Sequence, residues 1–449
     1  MPRIAKAGQA LEDKEGTIVE GHNEQEKALL AAHFSKAPLD EYMPKEGGRA
    51  FERINAEMVG GLLRKAANMS APGDYQISAE ILKVFWEWDQ RCIVQPVKAC
   101  IRLGHHAVLW ETAKVIIISK ARKPDYSKVG AYHVICLLDV ISKLVERTVG
   151  YLIADHLERK QELHEGQYSC CKRRSCIDAV AVLMNRTQQT WGDKKIARVL
   201  FMDVKSAFNN VNRAHLGKRM EALGLEPNLI RWTESFMMGS QVKIVLDRET
   251  GDASSVNTGI PQGSPVVPIL LVTYLSGIFE QVERAVPGVS ALSFADDIGW
   301  WEKAENEGGV AAKLAKAAGS AMDWANDNGV AFHQRKMEGV LFGKKKVALT
   351  ATIRVGMTDF PCKTEATCWL GVWLDYQLRL KEHHTIRLKE GKNAMGRLCR
   401  LTGQMGLSPA NCRMVMTACI QSVAMFGSEL WWKGDSVQGT IGRAEELQK

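Results

Sequence analysis

Three aspartates in this chain of 449 residues combine a residue type and a spacing that could carry chemistry. Asp203 ends the apolar run VLFMD, and Asp296 and Asp297 follow the apolar run ALSFA. The segment GIPQGSP (259–265) lies between them. Mg²⁺ prefers a few carboxylates completed by substrate oxygens. Three such carboxylates could therefore hold two Mg²⁺ ions, which is the requirement for nucleotidyl transfer.

The elements that must position these aspartates are a buried strand and a hairpin. A continuous apolar run at 198–204 predicts a buried strand that carries Asp203. The run ALSFADDIGWWEK predicts a tight hairpin with Asp296 and Asp297 at its tip. Successive residues of a strand face opposite sides, so only a turn lets both carboxylates approach one pocket. Taken alone, an Asp-Asp pair is more often a solvated turn; the ordered combination of the three segments favours a site.

Hydrophobic periodicity predicts the remaining elements. We expect strands at 113–119, 133–137 and 241–247, and an apolar hairpin at 366–375. We expect helices at 139–157, 177–191, 205–222, 227–238 and 308–328, a long helix after Pro265 and a basic helix beyond 378. Residues 1–40 are polar and helix-prone, with no core of their own.

Composition limits the class of protein. With 46% hydrophobic residues, the chain can build a core divided over two or three domains. A net charge of +8 permits a nucleic-acid partner without demonstrating one. The 11 cysteines and an N-terminus without an apolar segment favour a reduced intracellular compartment. The longest apolar run, 265–279, is too short and too rich in proline to span a bilayer, so no membrane partner is expected.

Several motifs resemble those of one family. The segments FMDVKSAFNNV (201–211), GIPQGSPVVPIL (259–270) and FADD (294–297) resemble motifs of reverse transcriptases from non-LTR (LINE-type) retrotransposons, particularly the fungal ones. The lysine of the fourth palm motif and the primer-grip hairpin also have counterparts here, at Lys336 and at 370–375. The resemblance covers roughly residues 55–445.

The resemblance implies an α+β fold, the right-hand polymerase with an antiparallel palm sheet. Its parts would be an N-terminal extension (1–54), fingers (55–195), palm (196–345) and a primer-grip hairpin with a truncated thumb or connection (346–449). It also implies RNA-directed DNA synthesis from a primer 3′-end, with dNTPs and two Mg²⁺ ions, for which Mn²⁺ could substitute. RNA template and DNA primer are the expected partners, and the oligomeric state stays open. LINE-type elements usually also encode an endonuclease, so we expect a longer parent product.

The resemblance assigns roles residue by residue. The expected catalytic residues are Asp203, Asp296 and Asp297, with Asp203 and Asp296 bridging both ions and Asp297 in a lesser part. Val204 completes the expected metal site. The expected nucleotide-binding residues are Lys120, His133, Phe208, Gln262, Gly263 and Lys336. Phe208 would form a gate that excludes the 2′-hydroxyl of a ribonucleotide. Without the resemblance, Phe208 is interpreted as a core residue and Lys120 as a surface lysine.

Departures from the family pattern suggest a weakened enzyme. His133 and Val134 stand where the family usually has Arg and Pro, and Asn209 stands where it has Asp. Histidine is mostly neutral at pH 7 and cannot hold a phosphate through two donors as arginine does. Because all three aspartates are present, two hypotheses stay open: an active enzyme, or a catalytically weakened nucleic-acid-binding remnant. Phe208 and the FADD motif argue against an RNA-dependent RNA polymerase.

The predicted basic helix has two interpretations. Its cations are Arg387, Lys389, Lys392, Arg397 and Arg400. They could form a thumb helix on the minor groove of a template–primer hybrid, or a solvated surface. We expect His383 and His384, at the start of this helix, to lie on the surface. Retrotransposition acts on chromosomal DNA, so an intracellular location in the nucleus, the cytoplasm or both is expected.

Overall fold

The computed structural model describes residues 10–34, 42–68, 70–120, 123, 125–246, 249–256, 259–343, 352–356, 358–360, 362–363 and 365–432. They form two compact units that are interleaved along the chain. The first unit contains the described residues within 1–165, 204–279 and 324–331. The second contains those within 166–203, 280–323 and 332–449. The contiguous fingers, palm and thumb segments expected from the sequence are a different, functional division, and they stay a prediction.

The described residues contain helices and short strands throughout. The helices are α1 (His22–His33), α2 (Ala56–Arg64), α3 (Ala79–Trp88), α4 (Arg91–Leu103), α5 (Val140–Lys160), α6 (Cys176–Gly192), α7 (Arg213–Ala222), α8 (Pro227–Met237), α9 (Val267–Ala285), α10 (Glu307–Asp327), α11 (Lys381–Met405), α12 (Pro409–Val415), α13 (Ser422–Ala424) and α14 (Ser428–Trp431). The strands are β1 (Leu11–Glu12), β2 (Ile18–Val19), β3 (Thr112–Ser119), β4 (Tyr132–Leu137), β5 (Ile196–Asp203), β6 (Gln241–Leu246), β7 (Glu249–Thr250), β8 (Ser254–Ser255), β9 (Ser290–Phe294), β10 (Asp297–Ala304), β11 (Glu338–Phe342), β12 (Ile353–Val355), β13 (Thr358–Phe360), β14 (Cys362–Lys363), β15 (Thr367–Trp369) and β16 (Val372–Leu374).

The first unit is built on a mixed sheet with the order β4-β3-β6-β7, in which β8 also pairs with β6. The central strand β3 pairs antiparallel with β4 and parallel with β6. Apolar residues alternate along β3, so Val115 and Ile117 are fully buried on one face. This face forms the core of the first unit together with residues of β4 and β6.

The N-terminal residues share this core. Leu11 and Leu29 are buried against the sheet, although the segment is polar overall. The backbone N–H of Glu12 donates to the carbonyl of Ser127 at 2.6 Å, which attaches β1 to the loop before β4. The sequence prediction that this region has no core of its own is compatible with this packing, because two leucines suffice to dock α1 and β1 on an existing core.

The second unit is built on a sheet with the order β14-β11-β5-β10-β9. Strand β5 is central, which explains its continuous apolar run, because both of its faces are buried. It pairs antiparallel with β10 in a register that begins at Asp203 opposite Asp297 and ends at Ile196 opposite Ala304. Helix α6 packs on this sheet, and its Ser175 cap forms a capping box with Asp178.

The hairpin of β15 and β16 is anchored between the sheet and helix α11. The ring of Trp369 stacks on Phe201 of β5 with centroids 4.8 Å apart. His383 of α11 accepts from the backbone N–H of Trp373 at 3.3 Å, and its Nε2 lies 2.8 Å from the carbonyl of Phe426. His383 is 0% exposed and His384 is buried, so the prediction that both lie on the surface is wrong. The imidazole satisfies backbone groups that the hairpin would otherwise bury unpaired.

The structure differs from the predicted helices at one place. The segment 205–210 forms turns, and α7 begins only at Arg213, whereas the sequence predicts a helix from 205. Asn212 caps α7 by accepting from the N–H of His215 at 2.9 Å, and Ser206 has a positive φ of 50°. Asparagine and serine side chains favour such caps and turns because they bond to nearby backbone groups. In the described residues no helix has the length and apolar character needed to cross a bilayer.

Candidate functional site

The three aspartates come together at one end of the second unit's sheet. Asp203 is the last residue of β5 and Asp297 is the first residue of β10, and their Cα atoms are direct antiparallel partners. Asp296 lies beside them in the two-residue turn between β9 and β10. Ala295, the other turn residue, has a φ of 56°, which is uncommon for a residue with a Cβ atom. The predicted hairpin with the aspartates at its tip is therefore present.

Burial and mutual repulsion raise the pKa of two of these carboxyls. The pKa of Asp297 is raised to about 6, mainly by burial and then by the charges of Asp296 and Asp203, while the charge of Lys336 acts to lower it. Burial also raises the pKa of Asp296, with a smaller contribution from Asp203, and Lys336 again lowers it. Negative charge concentrated in a partly desolvated place is unfavourable by itself. The site therefore favours a cation.

Lys336 is the cation that the structure places there. Its Nζ donates to Oδ2 of Asp203 at 2.6 Å. The backbone N–H of His333, three residues earlier, donates to the carbonyl of Asp203 at 2.9 Å. The side chain of Lys336 remains 61% exposed, so its ammonium can also reach a ligand from solvent. The predicted site residue Lys336 thus belongs to the same cluster as the aspartates.

The donor chemistry of the cluster fits a divalent cation, although its side chains do not yet enclose one. In the part of the chain that the structure describes, no three His, Cys, Asp or Glu side chains converge to form a ready metal site. The carboxylates are nevertheless hard oxygen donors on adjacent backbone positions, as Mg²⁺ requires. Val204 has a buried apolar side chain, so it could offer only its backbone carbonyl.

In the first unit, Gln262 and Gly263 form an exposed loop fixed on strand β4. The carbonyl of Gln262 accepts from the backbone N–H of Cys136 at 2.8 Å. Gly263 has a φ of 121°, and a Cβ atom there would lie 2.6 Å from the carbonyl oxygen of Cys136. No other residue fits this position without a shift of backbone. The loop is therefore close to β4 and open to a ligand.

Phe208 lies next to the start of the same loop. The backbone N–H of Ile260 donates to the carbonyl of Phe208 at 2.8 Å. Gly259 allows this approach, because a Cβ atom there would lie 2.8 Å from Cα of Asn209. The ring of Phe208 is half-buried and not part of the closed core. This exposure is compatible with the predicted gate, which stays a prediction.

Lys120 and His133 lie at the same end of the β3–β4 pair. Ile118 of β3 is opposite His133 of β4, and the Nζ of Lys120 donates to the carbonyl of Gly130 at 3.0 Å. His133 is exposed. Burial of its ring and the charges of Lys120 and Lys123 lower its pKa. His133 is therefore neutral at pH 7, whereas an arginine would be charged.

The five cations of α11 that were predicted to contact nucleic acid separate into two kinds. Arg387 donates to the carbonyl of Gly371 and, at 2.9 Å, to Glu390, and it lies over the ring of Phe426 at 4.7 Å. Its side chain is only 18% exposed, so the structure uses it to hold the hairpin. The other four are exposed and fall within an arc of about 140° on a helix of 3.6 residues per turn. They are Lys389, Lys392, Arg397 and Arg400.

Sequence reasoning missed the residues that fasten these elements. His383 and Arg387 hold the hairpin, and Asp375 accepts from the backbone N–H groups of Gln377, Arg379 and Leu380. The signal for Asp375 was its place directly after an apolar hairpin and before a helix. For His383 no pattern was available, because its partner Phe426 lies 43 residues away in sequence.

Comparison with known proteins identifies similar sequences. The model of the family described as reverse transcriptase (RNA-dependent DNA polymerase) matches residues 121–385, more than half of the chain. The chain is 23% identical over 393 residues to a probable RNA-directed DNA polymerase from transposon X-element of Drosophila melanogaster, covering 87% of this chain and 42% of that protein. It is 23% identical over 368 residues to the RNA-directed DNA polymerase from mobile element jockey of Drosophila funebris, covering 80% of this chain and 38% of that protein.

Other similarities are more distant. A Pol polyprotein from the type-1 retrotransposable element R2 of Popillia japonica is 22% identical over 209 residues, covering 43% of this chain and 28% of that protein. The structure of apo telomerase from Candida tropicalis matches with a TM-score of 0.40 and 14% sequence identity. The match covers 64% of this chain and 68% of the telomerase chain. The chain spans about two fifths of the length of the X-element and jockey relatives. The particular likeness to fungal elements stays a prediction.

Proposed function

Because the chain belongs to the reverse transcriptase (RNA-dependent DNA polymerase) family and is of the non-LTR retrotransposon type, we propose that it adds dNTPs to a primer 3′-end on an RNA template. The observation that carries this proposal is the pairing of Asp203 with Asp297, with Asp296 in the adjoining turn. Phosphoryl transfer depends mainly on positioning and on cancellation of charge. Three carboxylates and a lysine at one end of the sheet are suited to that task.

The carboxylates would act as metal ligands. Asp203 and Asp296 would be the main ligands that hold the divalent ions, with Asp297 and the backbone carbonyl of Val204 in lesser parts. Two Mg²⁺ ions, or Mn²⁺ in their place, would activate the primer hydroxyl and neutralise the triphosphate. Lys336 would exchange its bond to Asp203 for one to a phosphate oxygen, because a bound divalent ion would replace it as counter-charge.

The exposed loop of the first unit would bind the incoming nucleotide. Gln262 and Gly263 present backbone and amide groups to solvent, and Phe208 would exclude a ribose 2′-hydroxyl. Lys120 and His133 lie together on the β3–β4 pair and would meet the triphosphate. Lys120 supplies a charge there, whereas His133 supplies only a neutral donor.

The proposal includes the finer architecture of a right hand. Residues 55–195 would act as fingers, 196–345 as palm and 346–449 as primer-grip hairpin and thumb, with an N-terminal extension at 1–54. The exposed cations of α11 would contact phosphates of the template–primer hybrid, because an A-form duplex offers a regular phosphate path. RNA template, DNA primer and dNTPs would be the partners. An intracellular location, in nucleus or cytoplasm, also stays a prediction.

A second candidate function is that of a weakened or inactive nucleic-acid-binding remnant. One observation favours it: partial desolvation and the neighbouring lysines lower the pKa of His133, at a position where the family pattern has arginine. A protein of this kind would bind the hybrid through the α11 cations but would extend primers slowly. The complete set of three aspartates supports the active alternative.

Primer extension separates the two candidates. The purified protein is given a DNA primer on poly(rA) with Mg²⁺ and dTTP, beside Asp296→Asn as a matched control that keeps size and removes charge. Extension by the wild type that is lost in the control establishes the proposed reverse transcriptase. No extension, together with salt-dependent binding of the hybrid, establishes the remnant.

A further inference from the structure

Glu146 is a fully buried carboxylate in helix α5 to which no role has been assigned so far. Its side chain is 0% exposed. Two hydroxyl groups donate to it: Oγ of Ser142 to Oε1 at 2.5 Å, and Oγ of Ser264 to Oε2. Burying a carboxylate is unfavourable unless its oxygens are hydrogen-bonded, and burial raises the pKa of Glu146. A fully buried carboxylate of this kind needs a structural explanation.

The two serines belong to different parts of the first unit. Ser142 lies one turn earlier in α5, so its bond is local. Ser264 follows Gln262 and Gly263 in the exposed loop, 118 residues away in sequence. Of these two bonds, the one to Ser264 connects Glu146 with the loop. The hydroxyl of Ser264 also accepts from the backbone N–H of Val266 at 3.3 Å, so its orientation is defined from both sides.

The loop is held at three consecutive residues. Gln262 is tied to β4 through its carbonyl, and Gly263 lies against the carbonyl of Cys136. Ser264 is tied to α5 through Glu146. The first two contacts hold the loop against a strand, whereas the third sets how the chain leaves the loop before α9 begins at Val267. Removing the third contact leaves Gln262 and Gly263 attached at one side only.

We propose that Glu146 is a positioning residue for the nucleotide pocket, acting through Ser264 to hold Gln262 and Gly263 in the conformation that receives the incoming dNTP. This inference rests on the proposed function. Glu146 is buried beneath the loop and would touch neither substrate nor metal. Its effect should therefore appear in the KM for dNTP, with little change in kcat or in the affinity for the hybrid.

Ser142 provides a matched control for Ser264. Ser264→Ala and Ser142→Ala each remove one hydroxyl donor from the same carboxylate, but only the first releases the loop. We expect Ser264→Ala to raise the KM for dTTP about tenfold, because the hydrogen bond between the loop and the buried carboxyl group is lost. Ser142→Ala should leave this KM unchanged, and both variants should keep the wild-type affinity for the hybrid.

Two further variants separate positioning from charge. In Glu146→Gln, the amide oxygen can still accept from Ser264 while the amide nitrogen donates to Ser142, so the KM should stay near the wild-type value. Glu146→Leu fills the space without accepting, so its KM should match that of Ser264→Ala, and the double variant should add nothing. Thermal melting of every variant confirms that the protein tested is folded.

Hydrogen exchange gives a measurement that does not depend on activity. Ser264→Ala should speed exchange of the amides at 262–264, and Ser142→Ala should not. If the wild type fails to extend primers, the polymerase proposal fails, while faster exchange in Ser264→Ala alone still supports positioning of the loop. Equal changes of KM and exchange in both serine variants, or none in Ser264→Ala, would overturn the proposal.

Discussion

Lys336 and Asp203 form an ion pair, with Nζ 2.6 Å from Oδ2, at the end of the sheet where β5 ends and β10 begins. The ammonium group occupies the neighbourhood in which a divalent ion would lie. Lysine and metal must therefore compete for the same carboxylate, because both neutralise it. This relationship leads to a prediction about metal affinity that is independent of catalysis.

Removing the competing charge should tighten metal binding. The Tm of Lys336→Met should reach half of its maximal rise at a several-fold lower concentration of Mn²⁺ or Mg²⁺ than the Tm of the wild type. The reason is that the ion no longer displaces an ammonium group. Arg335→Met, at the exposed neighbouring position, is the matched control and should behave as the wild type. Unchanged metal dependence in Lys336→Met would contradict competition at Asp203.

Asp297 should make the metal-free protein less stable as the pH rises. Its folded pKa of about 6 lies above the usual value of 3.8, so the folded state holds its proton more tightly than the unfolded state. The contribution of Asp297 to the free energy of unfolding is then fully present below about pH 4 and is lost as the pH rises through 6. In EDTA at pH 8, the free energy of unfolding of Asp297→Asn should exceed that of the wild type by at most about 3 kcal/mol. Solvent screening lowers this limit.

Denaturant titration at pH 4 and pH 8 measures this difference. The two proteins should be equally stable at pH 4 and should separate at pH 8. Asp323→Asn, at an exposed position of the same unit, should show no such divergence. A gain in stability that is the same at both pH values would assign the effect of Asp297→Asn to packing instead of charge.

His133→Arg should lower the KM for dNTP. An arginine at this exposed position of β4 would be charged and could hold a phosphate through two donors, whereas His133 is neutral there. We expect a several-fold lower KM for dTTP with kcat little changed, measured by steady-state extension on poly(rA). His133→Gln should show no improvement, and a KM that does not fall in His133→Arg would rule out this explanation of weakened activity.

Phe208 should decide between deoxyribonucleotides and ribonucleotides. Replacing the half-buried ring by the smaller side chain in Phe208→Val would remove the expected clash with a 2′-hydroxyl. We expect kcat/KM for UTP to rise relative to dTTP, measured with both nucleotides in parallel. The comparable change Phe236→Val, at a buried ring of α8, should affect stability without changing this ratio.

Arg387 and Lys392 should separate structural from nucleic-acid-binding cations on α11. Arg387→Ala loses its bonds to the hairpin and its contact with Phe426, so we expect a loss of about 1–3 kcal/mol in the free energy of unfolding. Lys392→Ala, at an exposed position, should leave stability unchanged. It should lower the slope of log K against log salt for hybrid binding by about 1. The reverse pattern would show that Arg387 is the nucleic-acid contact.

Much of the candidate site could be predicted from local sequence. The apolar run before Asp203 requires a buried strand, and the Ala-Asp-Asp sequence between two apolar runs requires a turn. Gly263 signals a backbone conformation that side chains avoid, and the structure gives it a φ of 121°. These features are local because periodicity and turn chemistry act over a few residues. They are sufficient to predict one carboxylate at the end of a strand and two at the tip of a hairpin.

The tertiary structure alone decided which partner each polar group has. Helical spacing made Arg387 one of five equivalent cations, and packing against Gly371 and Phe426 distinguished it from the rest. Glu146 and His383 were indistinguishable from other residues of their helices until Ser264 and Phe426 were placed beside them. These contacts join residues that are not neighbours in the chain. Periodicity can indicate which positions are buried, but it does not specify which distant group will pair with a buried polar one. The amino-acid sequence determined most of the elements and the candidate carboxylates, whereas long-range packing determined the residues that hold them in place.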